Sequence, residues 1–303
     1  MGSVANSSIR ASGRKHFMKK HMSITSILIG VFLLLFAIVC IMPFYYVITI
    51  SFSNPNLVRE GQLLLYPKGF SVKAYQMIFR DNKFYQSFLI SILRTGIGSL
   101  LGIAVQSLFA YAISRTHLWG RKTFKGMVLF AILFNGGIVP TYLVVAYTGI
   151  FDTLWALLLP IAMSPWNVMV LTSFFSSLPA SLEESAKIDG AHDFTIFTRI
   201  AVPLSGSALA TILLFIAVSH WNTLMDAVIF INNSKLKPLQ AYLVDLVMRA
   251  STQNMYAVPS EQDIPTLSIQ TAAIFASALP ILLVYPFVQK YFVKGVMLGA
   301  VKG

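Results

Sequence analysis

Charge is scarce in this sequence. Asp, Glu, Lys and Arg make up 11% of its 303 residues, where a soluble chain carries roughly a quarter. With 56% hydrophobic residues and a mean hydropathy of +0.72, a water-soluble domain is excluded and an integral membrane protein is implied. Cysteine is nearly absent too. Cys40 stands alone inside the first apolar run, which excludes an intrachain disulfide and a cysteine-based metal cluster and leaves it as a small packing residue. The five histidines do not group and the acids are scattered. That argues against a metal site and against a membrane-embedded hydrolase or transferase. No G-x-x-x-x-G-K-[S/T] stretch occurs, so ATP chemistry, if any is used, has to come from a partner. No strong internal repeat is visible, which argues against a self-sufficient secondary transporter.

What is there is long apolar runs. A span needs about 20 mostly apolar residues, and six candidates emerge: Ile27–Ile50, Phe84–Ile113, Phe124–Ala146, Leu154–Phe175, Leu204–Ile231 and Ile264–Phe292. Pro43, Pro140, Pro160 and Pro280 fall inside them, as membrane helices tolerate when neighbours satisfy the freed carbonyls. The first run follows "RKHFMKKH". It is longer than a signal-peptide core and no small-residue cleavage site ends it, so it reads as a retained signal anchor. The formal charge of +12 would suggest nucleic acid in a soluble chain. Here the basic residues flank apolar runs and set topology instead, so no nucleic-acid partner is expected. With the N-terminus inside, fourteen Lys and Arg lie on inner segments and eight on outer ones. Both termini are therefore expected on the cytoplasmic side, with loops at 51–83 and 232–263 outside. The expected organisation is a cytoplasmic segment at 1–26, a six-helix membrane domain at 27–292 with an inner loop at 177–203, and a cytoplasmic tail at 293–303.

That inner loop contains "EESAKIDGAHDFTIFTRIAVP" (183–203), which carries six charged residues. A connection between two spans needs only a few residues. Ser181 and Glu184 have the spacing of a capping box, so a short helix is expected to start near Leu182. Gly190 suits a left-handed cap at its end. Asp193 lies near the start of a second helix, where negative charge is favoured. Pro203 is expected to close the stretch and begin the fifth span. Glu183, Glu184, Lys187 and Asp189 would project from the first helix around a close-contact point at Ala186. The element reads as a docking surface. Inside the spans the polar residues are Arg94 and the group Ser219, His220, Trp221, Asn222, Thr223 and Asp226, and such residues are functional candidates. Trp221 lies roughly 25 Å along its span from the inner start. Trp221, Asn222 and Asp226 could bind sugar rings and hydroxyls, or mark an interfacial helix end. Arg94 has four possible fates: an acid on a partner, outward snorkelling, a substrate carboxylate, or Asp226 of its own chain.

The spacing in the inner loop resembles the "EAA" motif of ABC importer permeases: Glu-Ala-Ala, three residues, Gly, nine residues, Ile-x-Leu-Pro. It stands here as Glu184-Ser185-Ala186, Gly190, and Ile200-Ala201-Val202-Pro203, with Ser185 and Val202 as mild departures. "AYAISR" (110–115), "HWN" (220–222), "FNGGIVPTYLV" (134–144) and the C-terminal "QKYFVKGVMLGAVKG" are similar to carbohydrate-uptake permeases of the MalG-like family, of the LplC/YtcP type. The resemblance covers essentially the whole chain. It implies an all-α, polytopic MalG/MetI-like permease fold with six transmembrane helices in the bacterial inner membrane. It also implies a transport subunit that is not itself an enzyme and holds no cofactor, because ATP is bound by partner subunits. The implied partners are a second homologous permease, two cytoplasmic ATPases, an extracytoplasmic solute-binding protein and membrane lipid. Glu183, Glu184, Ala186, Asp189, Gly190, Ile200 and Pro203 would couple to the ATPase, and Glu184 matches the position that pairs with a basic residue there. The loop at 232–263 would reach toward the binding protein, and the tail toward the ATPase interface. The implied cargo is a complex oligosaccharide, possible acidity resting on Arg94. An importer permease for a non-sugar solute is the alternative.

Overall fold

The computed structural model describes residues 24–61, 65–256 and 264–300, and every regular element among them is helical. In chain order these are α1 (Ile24–Ser51), α2 (Pro55–Arg59), α3 (Lys73–Arg80), α4 (Asn82–Ser114), α5 (Arg121–Leu133), α6 (Ile138–Tyr147), α7 (Leu154–Leu158) and α8 (Pro165–Ser176). There follow α9 (Ala180–Ile188), α10 (Asp193–Ile196), a π-helical turn (Phe197–Ala201), α11 (Val202–Leu204), α12 (Gly206–Asn222), α13 (Met225–Phe230), α14 (Leu239–Tyr256) and α15 (Thr266–Ala300). The chain divides into two units, Met1–Tyr46 and Val47–Gly303. In the first, residues 24–46 are helical, and Cys40, expected to pack, is exposed.

The apolar runs take two forms. Ile27–Ser51, Asn82–Ser114 and Thr266–Leu283 are continuous helices long and apolar enough to cross a bilayer. The third run is bent, α5 meeting α6 at 119°, and at the start of the fifth the Asp193–Leu204 helix meets α12 at 86°. The fourth run forms two short helices, α7 and α8, separated around Pro160. Each break has a local cause. Gly137, in "NGG", takes φ +82°, a conformation open to glycine, and Asn135 Oδ1 accepts its N–H at 2.9 Å. Pro203 has no N–H and its ring crowds the carbonyl of Arg199. The turn just before it widens to a π-helix, with Val202 N–H reaching Phe197 O.

α4 is the spine of the second unit, and its buried stripe is polar or small: Ser87, Ser91, Arg94, Gly98, Gly102 and Gln106 recur at helical spacing. The glycines let α12 come close. A Cβ at Gly98 would lie 2.4 Å from the His220 ring, and one at Gly102 would lie 3.1 Å from Ile216. The polar members satisfy backbone groups that other elements leave open where they break or begin. Gln106 Nε2 donates to Ala162 O at 2.8 Å, beside the α7–α8 break. Arg94 Nη1 donates to Thr223 O at 3.0 Å, in the gap between α12 and α13. Ser91 Oγ accepts the Leu239 N–H at 2.8 Å, at the start of α14. Water-free surroundings require such partners, which is why a membrane helix carries this polar stripe.

Three apolar clusters fill the spaces around the spine. One joins Tyr111, Val168, Leu171, Phe175, Phe197 and Ile212. A second joins Tyr75, Ile78, Phe84, Trp221, Tyr242 and Ala272. The third packs α7 against α13 through Ala156, Leu157, Ala227 and Phe230.

Candidate functional site

The charged stretch is a helix, a glycine turn and a helix. α9 starts at Ala180, two residues before the expected start, and the Ser181–Glu184 capping box does not form. Pro179 holds the N-cap position at φ −59° with no side-chain cap. Its fixed φ already suits a helix entry, and on an exposed helix the first N–H groups can be met by water. At the other end Gly190 adopts φ +81°. Its N–H bonds to Lys187 O at 3.0 Å, and Ala191 N–H bonds to Ala186 O at 2.9 Å. This is the paired Schellman closure that glycine permits. Asp193 opens α10 after His192. The expectation that Pro203 begins the fifth span is corrected. The helical path continues through Pro203 to Leu204, and α12 starts at Gly206 beyond the bend.

α9 buries none of its residues. Glu184, Ile188, Asp189 and Gly190 are exposed, while Ala186 is half-buried. Along the second helix Ile200 is half-buried and Pro203 is exposed. Glu183 points the other way. Its side chain is only 16% exposed and pairs with Arg115, the residue that ends α4. Lys187 Nζ lies 3.1 Å from Glu183 and 3.6 Å from Asp193, and His117 Nε2 lies 3.7 Å from Asp193. Burial pushes the Glu183 carboxyl up, but hydrogen bonds from Lys187 and Arg115 outweigh it and hold the carboxyl below its ordinary value. The bond to Glu183 in turn raises the Lys187 ammonium above its usual range. Arg115 and His117 were not singled out in the sequence, although Arg115 closes "AYAISR". A basic residue where a span ends reads as a topology signal, and its acid lies 68 positions away.

The span residues are also placed. Arg94 is fully buried and forms an ion pair with Asp226. Asp226 sits in the first turn of α13 and also accepts the Ala227 N–H at 2.7 Å. Trp221 is 8% exposed, donates Nε1–H to Ser277 O at 3.1 Å and meets the edge of Phe88. Ser277 lies in α15, three residues before Pro280. Asn222 is exposed and donates to Val218 O at 2.9 Å. Arg94 and Asp226 are therefore brought together, Trp221 belongs to the packing, and Asn222 alone of the four is exposed. The expected tail from Lys294 continues helically to Ala300. Residues 1–23, 62–64, 257–263 and 301–303 lie outside the described residues, so parts of the N-terminal segment, the 51–83 and 232–263 loops and the tail are not placed.

The family model described as "Binding-protein-dependent transport system inner membrane component" matches residues 120–298, more than half of the chain. The chain belongs to this family. It is a permease of the ABC importer class, a membrane component of a binding-protein-dependent transport system. A similar relative is the polygalacturonan/rhamnogalacturonan transport system permease protein YtcP of Bacillus subtilis (strain 168), 44% identical over 90% of this permease and 96% of the relative. Protein LplC of the same organism is 41% identical over 88% and 90% respectively. Among solved structures, a bacterial ABC transporter involved in the import of the acidic polysaccharide alginate matches with a TM-score of 0.81. It is 30% identical, over 91% of this permease and 99% of that chain.

Proposed function

We propose that this permease imports acidic oligosaccharides, driven by a separate pair of cytoplasmic ATPases that engage it through α9. The observation that carries the substrate class is the 44% identity over 90% of the chain to a permease named for polygalacturonan and rhamnogalacturonan. The alginate importer's likeness supports the same class. Arg94 does not support it, because its charge is met by Asp226 within the chain. A second, homologous permease completes the pathway and a solute-binding protein delivers the sugar. Both termini and α9 face the cytoplasm, as the Lys and Arg distribution supports.

The coupling part rests on exposure. Glu184, Ile188 and Asp189 stand free on a helix that buries nothing, with a rigid glycine turn behind it. An ATPase cleft closing on this helix would move it as a unit. A Cβ at Gly190 would meet nothing within 4 Å, so a substitution there acts only by straining φ +81°, about 1–2 kcal/mol. Glu184→Ala is expected to lose the ATPase on co-purification. Gly190→Val is expected to retain it only weakly. If both variants co-purify and transport like the wild type, α9 is not the docking element.

A further inference from the structure

We infer that Arg115 is the positioning residue that ties α9 to the spine, so that a displacement of α9 is carried into α4 and α8 together. The inference rests on the reading of α9 as the docking helix. It assigns Glu183, expected on sequence grounds to contact the ATPase, to the permease's own interior instead.

The geometry points to this from two sides. On one side, α9 has no apolar anchor, since none of its residues is buried. The charged residue on it that turns inward is Glu183, and its partner is Arg115. On the other side, the Arg115 guanidinium is used on every edge. Nη1 donates to Glu183 of α9, Nη2 donates to Phe175 O in the last turn of α8 at 2.6 Å, and Nε donates to Ser114 Oγ at 2.9 Å. The cation stacks 4.6 Å from the centre of the Tyr111 ring in α4, and Tyr111 packs edge-on against Phe175 at 5.7 Å. One planar fork thus holds three helices, which a lysine point charge cannot reproduce. A carbonyl at the end of α8 is also where a helix favours a cation.

The other links between α9 and its surroundings are weaker. Lys187 is 41% exposed and Asp193 is 60% exposed, and exposed pairs contribute little. An open cleft of about 260 Å³ beside Arg115 lies between α9 and the end of α4. Packing alone therefore does not fix the distance between α9 and the end of α4, and the guanidinium spans a gap that side chains leave open. The spine it anchors packs on α12 and α8 and holds their broken ends through Arg94 and Gln106. A shift entering at Glu183 reaches those breaks through one continuous helix.

The test uses the whole importer in nanodiscs, with partner subunits freed of cysteine and Cys40→Ser in this chain. Spin labels are placed at Ser181→Cys on α9 and Trp119→Cys just beyond α4, both exposed positions outside the face assigned to the ATPase. The interlabel distance is read with and without AMP-PNP. With Arg115 intact, one narrow distance is expected, unchanged by nucleotide. Arg115→Ala is expected to broaden the distribution without nucleotide and to shift it when nucleotide is added. Arg115→Lys should fall between the two. Glu183→Gln lies on a helix with no buried residue, so the fold tolerates it, and it should broaden the distribution as Arg115→Ala does. A narrow, unchanged distance in Arg115→Ala or in Glu183→Gln overturns the inference. So does a wild-type distance that changes with nucleotide. The distribution without nucleotide reads the tie itself. The failure of α9 to dock would appear separately, as ATPase retention in Glu184→Ala.

Discussion

Removing one partner of the Arg94–Asp226 pair should be among the most damaging single changes in the membrane domain. The Arg94 side chain is fully buried and that of Asp226 is 10% exposed, so neither charge is well solvated when its partner is lost. Arg94→Gln or Asp226→Asn is expected to cost about 3–5 kcal/mol, the penalty of an uncompensated buried charge. On a chain of this size, with about 2.1 cal/mol/K of unfolding entropy per residue, that corresponds to roughly 5–8 °C in melting temperature. The double variant Arg94→Met/Asp226→Leu buries no charge and should recover most of the loss. It should not recover all of it, because Thr223 O loses its 3.0 Å donor and an unpartnered buried carbonyl costs about 1–3 kcal/mol. Thermal melting of the assembled importer in detergent gives the values. Singles that melt with the wild type, or a double no better than the singles, would refute the reasoning. Because Arg94 is paired with Asp226 inside the chain, we expect it to play no part in recognising substrate charge. Assembled Arg94→Lys should therefore keep the wild-type ratio of acidic to neutral oligosaccharide uptake.

Gly98→Ala places a Cβ 2.4 Å from the His220 ring and should destabilise by about 1–3 kcal/mol through overpacking, with His220→Ala in the same chain restoring melting. Glu183 titrates below its ordinary value, so its contribution is complete above about pH 5 and disappears as pH falls through the lowered value. The melting difference between wild type and Glu183→Gln should accordingly be flat from about pH 5 to 8 and shrink below about pH 4; a difference that grows on acidification would reverse the assignment.

The long apolar runs were legible because burial in lipid demands uninterrupted hydrophobicity, and α1, α4 and α15 follow them closely. The bends were less so. A hydropathy window averages over Asn135-Gly136-Gly137 and over Ser205, although glycine at 137 was a local signal that the chain could turn there. The glycine turn at 190 was readable because its requirement is local, a positive φ after a helical run. The ion pairs were not fixed by sequence. Asp226 was one of several partners open to Arg94, 132 positions away, and nothing in the chain's pattern linked Arg115 to Glu183. The capping box failed because Pro179 supplies a helix entry of its own. Trp221 and Asp226 looked like sugar-binding groups by chemistry alone. In the structure Trp221 bonds the Ser277 carbonyl and Asp226 pairs with the buried Arg94 guanidinium, contacts 56 and 132 positions apart that no local pattern reveals.

The central claim is ATP-driven import of an acidic oligosaccharide through this permease. It is tested most directly by uptake of labelled oligogalacturonates into proteoliposomes holding the two permeases and the ATPase pair, with ATP inside and binding protein outside. Saturable uptake is expected that needs every component, fails with Glu184→Ala, and is competed by acidic oligosaccharides more than by neutral ones. Uptake by this chain without the ATPase, or preference for a neutral sugar or a non-sugar solute, would contradict it.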